Sequence, residues 1–107
     1  MITDVQDFID LVNDGRLTIL DRPVWLTVEQ TEWAHLANAS DFNAAVKLLV
    51  ALLGHTWLWT VSYDNLAVLT RRDDPAEVIR SISLSPAHAL LVGLLMAWAR
   101  EGPKIGA

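Results

Sequence analysis

Apolar positions in the first part of the chain recur with the period of an α-helix. The stripe consists of Val5, Phe8, Ile9 and Val12, and aspartates occupy positions away from it. The sequence of residues 3–6 is typical of a capping box, in which two side chains exchange hydrogen bonds with the backbone at a helix start. We therefore predict a first helix that begins at this box and ends at Gly15.

Helix-start signals recur four more times along the chain. A second capping box at 27–30 begins a helix that runs to about residue 38. Ser40 or Asp41 is expected to cap a third helix, over 41–53. A capping arrangement with proline at the first helical position, 74–77, predicts a fourth helix, and a last helix is expected over 86–100.

Between these helices, three short segments have the character of β-strands. Residues 17–20 form one candidate, and 57–62 and 66–70 form a pair separated by a turn sequence at 63–65. The sequence thus predicts a mainly α protein with a small antiparallel β-sheet, an α+β fold. We expect a single compact domain over 1–101 and a short C-terminal tail over 102–107.

The order of the first elements resembles that of a winged helix, followed by two additional C-terminal helices. In the winged-helix fold, three helices carry a small sheet and the third helix often enters the DNA major groove. The resemblance is one of element order, and no sequence motif accompanies it.

The helices predicted over 41–53 and 86–100 are apolar on nearly every side. Two such helices are hard to enclose in a chain of 107 residues. One interpretation is a shared core within one subunit. The other is a homodimer, or a partner surface, built on the last helix and the tryptophan-rich strand. The candidate residues for that surface are Ala89, Gly93, Ala97, Leu90, Leu94, Trp98, Trp57 and Trp59.

The composition of the chain disfavours some classes of binding partner and indicates a cellular location. Hydrophobic residues make up 52% of the chain, and the net charge is −5. An acidic balance disfavours nucleic acids and anionic membranes as partners. The longest apolar run, 89–99, is too short to cross a bilayer, and the acidic N-terminus is unlike a secretory signal. With no cysteine, the chain fits a reducing compartment, and we expect a cytoplasmic protein.

A DNA-binding alternative requires polar or basic side chains on the third helix and the hairpin. The third helix offers Asn43 and Lys47, four residues apart on one face, and the hairpin is followed by Arg71 and Arg72. Two aspartates come directly after these arginines and cancel their charge. The sequence therefore favours DNA binding less than protein binding.

The sequence carries no pattern that predicts catalysis, a cofactor or a metal. His35, His55 and His88 lie in three different segments without the spacing of metal ligands. Glu32 lies three residues before His35 on a predicted helix, where a surface ion pair is expected. Nucleophile-elbow, P-loop and dinucleotide-binding motifs are absent from the sequence.

These observations favour a non-catalytic protein-interaction module, a small regulator, adaptor or inhibitor that binds another protein, itself or both. We expect a homodimer through the C-terminal helix and no small-molecule substrate. A winged-helix transcriptional regulator is the alternative, and a structural component of a larger particle is a weaker one. Arginine outnumbers lysine six to two and alanine occurs thirteen times, which hints at a GC-rich bacterial or phage genome.

Overall fold

A computed structural model describes residues 2–101 of the chain. Four helices and one three-stranded antiparallel sheet confirm the predicted α+β class. The elements in chain order are α1 (Val5–Asn13), α2 (Val28–Asn38), α3 (Phe42–Leu53), β1 (Trp57–Val61), β2 (Leu66–Arg71), β3 (Asp74–Ile82) and α4 (Pro86–Glu101). The predicted tail, 102–107, lies outside the described residues.

The first two helices begin at side chains that accept backbone N–H groups. At α1 the capping residue is Asp4 rather than the expected Thr3, and its carboxylate accepts from the backbone N–H of Gln6 at 2.8 Å. At α2 the predicted capping box is confirmed: the Gln30 amide donates to the Thr27 hydroxyl at 3.1 Å, and the Thr27 amide donates to the Gln30 side chain at 3.0 Å. These bonds satisfy amides that have no partner within the helix.

The other two helices also begin where the sequence indicated. Asp41 caps α3 and accepts from the Ala44 amide at 3.1 Å. Ser85 precedes Pro86 and accepts from the His88 amide at 3.1 Å, which fixes the start of α4.

The sheet is a meander in the order β1-β2-β3. Trp59 pairs with Leu69, and Leu69 pairs with Ile79, so these three side chains point to the same face. The first hairpin closes where predicted, with the Asn65 amide donating to the Ser62 carbonyl at 3.1 Å and Asn65 at a positive φ of 64°. The sheet face that carries Leu69 packs against α4.

The predicted helix beginning at 74–77 is wrong, because this segment belongs to strand β3. Ile79 and Ser81 alternate inward along the strand and are buried, a period of two that the capping signal obscured. Pro75 lies where the register between β2 and β3 shifts, between the pairs Thr70–Val78 and Arg71–Asp74. A proline is tolerated at such an irregular position since no ladder hydrogen bond is lost. Within residues 2–101, one helix and not two therefore follows the first hairpin.

The predicted strand over 17–20 is also wrong. The segment is a turn in which the Thr18 amide donates to the Asp21 carboxylate at 2.7 Å and the Asp21 amide donates to the Thr18 carbonyl at 3.0 Å. Local hydrogen bonds of this kind compete with strand pairing. As a result, the apolar side chains of Ile19 and Leu20 are exposed to solvent.

Helix α4 is the centre of the molecule. It contacts the other three helices and all three strands, whereas α3 packs on α2 and α4 and has an exposed side. Gly93 is what brings α4 close to the sheet: a Cβ atom there would lie 2.7 Å from Leu69 Cδ1. The all-round apolar character of α4 is therefore explained by burial on every side.

Among the described residues, no helix has the length and apolar character needed to cross a membrane.

Candidate functional site

The small-residue stripe of α4 faces the protein's own interior. Ala89, Gly93 and Ala97 are buried, as are the neighbouring Leu90 and Leu94. Since the sheet and the other helices cover these side chains within one chain, this fold does not offer them to a second copy or to a partner. The stripe is therefore not part of the accessible surface, and any self-association would have to use other surfaces.

The tryptophans do not form an exposed aromatic patch. Trp57 is buried, and its indole N–H donates to the Glu101 carboxylate at 2.8 Å. Trp59 is half-buried beside Phe42, with ring centroids 5.9 Å apart, and Trp98 is half-buried on α4. The remaining two, at positions 25 and 33, are also half-buried. Their roles are mainly in packing.

The residues considered for DNA contact differ in exposure and in partners. Asn43 and Lys47 are exposed on α3, as expected. The exposed side of the same helix also carries the apolar side chain of Val50. Arg72 is exposed, and its guanidinium donates to the His55 carbonyl at 2.8 Å.

Arg71, the fourth of these residues, is surrounded by carboxylates. Its guanidinium lies 2.9 Å from Asp73, 3.2 Å from Glu101 and 3.6 Å from Glu77. The hydrogen bond that its guanidinium donates to the Asp73 carboxylate raises the pKa of Arg71 further above its usual range, so the group stays charged. It also lies 5.9 Å from the ring centre of Trp57. Because its charge is already balanced, Arg71 is poorly placed to attract phosphate.

One stretch of exposed apolar surface lies between the first loop and helix α2. Ile19 is 77% exposed, Leu20 83% and Val28 75%, and Val24 is also exposed nearby in the chain. Ile19 and Val28 line the same cavity, so these two exposed side chains lie together, unlike the scattered apolar positions of an ordinary surface. We call the depression between residues 18–26 and α2 the loop groove.

The loop groove consists of two adjoining cavities. One has a volume of about 230 Å³ and is lined by Ile19, Arg22, Val28, Thr31, Glu32 and His35. The other has a volume of about 310 Å³ and shares Arg22, Val28 and Thr31 with the first, and Pro23, Val24 and Leu26 complete its lining. Sites for small molecules usually have volumes of about 300–1,000 Å³. These cavities are at or below that range, which suits single side chains of a larger ligand.

Three polar side chains stand at the edge of this apolar surface. A ring nitrogen of His35 lies 2.9 Å from the Asp21 carbonyl oxygen, so that α2 and the turn are tied together. The expected ion pair between His35 and Glu32 does not form. Arg22 also makes no ion pair with any carboxylate of residues 2–101, and its guanidinium remains available to a ligand.

The loop groove was not predicted from the sequence because residues 17–20 were expected to form a strand. The signal that could have found it is the pair Thr18 and Asp21, since a hydroxyl residue three positions before an aspartate favours a closed turn. Such a turn cannot bury the two apolar residues between them. The exposure of Val28, at the first position of α2, was not predicted either, because the capping box indicates where the helix begins but not which of its side chains are exposed.

One buried ionisable group lies outside the loop groove. His88 is buried at the start of α4, where a ring nitrogen meets the Ser83 hydroxyl. Burial lowers the pKa of His88, and a hydrogen bond to the backbone of Val12 opposes this in part. The ring is thus held neutral between α1 and the end of β3. Over residues 2–101, no group of three or more His, Asp or Glu side chains could hold a metal ion.

Comparison of the chain with known protein families, with curated proteins and with solved structures finds no significant match.

Proposed function

We propose that this protein is a small, non-catalytic interaction module, a regulator, adaptor or inhibitor, which binds a short apolar segment of another protein in the loop groove. The observation that carries the proposal is that Ile19 and Val28, each at least three-quarters exposed, line these cavities, Val28 both of them and Ile19 the first. Burying such side chains against a partner contributes about 1.5–3 kcal/mol for each one fully covered.

The walls of the loop groove are fixed before a partner arrives. The turn is closed by the Thr18–Asp21 hydrogen bonds, and His35 links the turn to α2. The capping box of Thr27 and Gln30 holds the start of α2 in place. A site whose walls are already ordered loses little conformational entropy on binding, and this favours affinity.

The chemistry of the edge indicates what kind of segment fits. Arg22 lines both cavities without a carboxylate partner among the described residues. A guanidinium is well suited to bind a carboxylate through two parallel hydrogen bonds. The segment we propose therefore presents aliphatic side chains to the cavities and an acidic side chain or a terminal carboxylate to Arg22.

A selection from a displayed library of short random peptides, with the immobilised protein as bait, tests this proposal. Val28→Glu is the decisive variant, because it places a charge in the loop groove while an acid in the first turn of a helix is favourable to the fold. Ile82→Glu is the matched control, since Ile82 is 76% exposed, as much as Val28, and lies on β3.

We expect enriched peptides that combine aliphatic residues with a carboxylate. Their affinity should fall at least about tenfold for Val28→Glu, since a buried apolar contact is lost and a charge is desolvated. Ile82→Glu should bind them as the parent protein does. Selected peptides that bind Val28→Glu and the parent equally well, or a selection without enrichment, would overturn the proposal.

A further inference from the structure

Strand β3 forms a free edge of the sheet. The order β1-β2-β3 leaves one side of β3 without a neighbouring strand. It is the longest strand of the three, with nine residues from Asp74 to Ile82. An edge strand presents unpaired N–H and C=O groups, which can pair with another chain.

The hydrogen-bonding pattern identifies the unpaired groups. Residues of an antiparallel ladder bond alternately to one side and to the other. The Ser83 amide donates to the Asn65 carbonyl at 3.2 Å, so Ser81 and Ile79, at two-residue steps before it, also bond towards β2. The backbone groups in between, of Val78, Arg80 and Ile82, therefore point away from the sheet. No other backbone group of residues 2–101 pairs with them.

The side chains along this edge are mainly apolar. Ile82 is 76% exposed and Leu84, just beyond the strand, is 87% exposed. Arg80 is the single charged residue over 78–84, and the segment contains no acidic residue. An edge strand that avoids pairing usually carries several charges or ends early, and β3 has neither protection along 78–82.

We propose that two copies of this chain associate through β3, which pairs in antiparallel fashion across a two-fold axis to form one continuous six-stranded sheet. A two-fold contact requires a self-complementary surface, and three outward-facing residues at two-residue spacing meet this requirement. Centring the axis on Arg80 would place two arginines opposite each other, which is unfavourable. Centring it on Ser81 places Arg80 of one copy opposite Ile82 of the other and brings Leu84 towards Val78.

The charge distribution also favours a second copy at this edge. Each copy carries a net charge of −5, so two copies repel wherever their acidic surfaces meet. The aspartates of α1 belong to a helix that packs on α4, while the sheet covers another side of α4. Contact through residues 78–84 therefore brings together a segment that has no carboxylate.

A single pair of strands buries less surface than a permanent dimer does. Stable interfaces bury about 1,200–2,000 Å² in total, and weaker encounters bury less. We therefore expect a reversible dimer with a Kd on the order of 10 µM to 1 mM.

The test combines sedimentation equilibrium with amide hydrogen exchange over a range of protein concentrations. The first variant is Arg80→Pro, which removes an outward-facing N–H without removing a bond to β2. The second is Ile82→Glu, which places a charge at the edge and leaves the backbone unchanged. Leu58→Glu is the control, because Leu58 is exposed on the outer sheet face but lies on β1, at the opposite edge.

The parent protein should pass from monomer to dimer as its concentration rises, and the Val78, Arg80 and Ile82 amides should gain protection from exchange. Both edge variants should weaken dimerisation at least about tenfold, while Leu58→Glu should dimerise as the parent does. A monomer at every concentration would overturn the proposal, and so would a dimer that Leu58→Glu breaks and the edge variants leave intact. Val28→Glu should dimerise normally, so failure of the loop-groove proposal and failure of this one are separate results.

Discussion

Gly93 lies in the middle of α4, where the helix meets the sheet most closely. A Cβ atom at this position would lie 2.7 Å from Leu69 Cδ1, a side-chain end that has to shift within the core, so we predict that Gly93→Val destabilises the fold by about 1–3 kcal/mol. Ala99→Val is the control, since Ala99 is exposed on the same helix and should cost only about 0.5 kcal/mol. Urea unfolding measures both, and a Gly93→Val protein as stable as Ala99→Val would contradict the close approach of α4 to the sheet.

The buried side chain of His88 makes the stability of the fold depend on pH. Burial lowers its pKa in the folded state below the ordinary value of about 6.5, so the unfolded chain binds the proton more readily. The stability that this group contributes is therefore complete above about pH 6.5 and is lost as the pH falls through the folded-state pKa.

The free energy of unfolding, followed from pH 7.5 to pH 5 by urea titration, measures this effect. We expect it to fall less steeply in His88→Gln than in the parent protein, and His55→Gln, an exposed histidine, should keep the parent's slope. Equal slopes in all three proteins would show that His88 is not held neutral by burial.

At the scale of elements, the turn over 18–21 decides where apolar surface is exposed. Asp21→Ala removes the acceptor of the Thr18 amide and hydroxyl, and should cost about 1 kcal/mol of local stability. We predict that the Thr18 amide then exchanges its hydrogen about five- to tenfold faster. Asp7→Ala, at an exposed position of α1, is the control and should leave that exchange rate unchanged. An unchanged rate in Asp21→Ala would mean that the turn is held by other contacts.

The helices could be predicted from the sequence because their signals are local. Thr27, Asp41 and Ser85 lie at caps whose hydrogen bonds span three residues, so neighbouring letters are sufficient to find them. The prediction for 74–82 was wrong because pairing with β2 makes this segment a strand. The local sequence at its start, which contains a proline, is instead typical of a helix start. The prediction for 17–20 was wrong for the opposite reason. Its apolar pattern is typical of a strand, but a local hydrogen bond to a side chain closes a turn.

At the scale of the whole molecule, the surplus of apolar residues was visible in the sequence, but its location was not. The stripe of Ala89, Gly93 and Ala97 was the predicted location, but the fold buries these residues, with Gly93 against the sheet. Which apolar face is covered depends on long-range packing around α4, and a pattern along one helix cannot reveal that. The most exposed aliphatic side chains lie at the loop groove and at the edge of β3, two places where the predicted secondary structure was incorrect.

Binding of an apolar segment in the loop groove can be followed through the backbone amide shifts of the isotope-labelled protein when a selected peptide is added. We expect changes over 18–35, with Arg22, Val28 and His35 among the residues most affected and the sheet unchanged. Changes confined to the sheet or to the exposed side of α3 would contradict it.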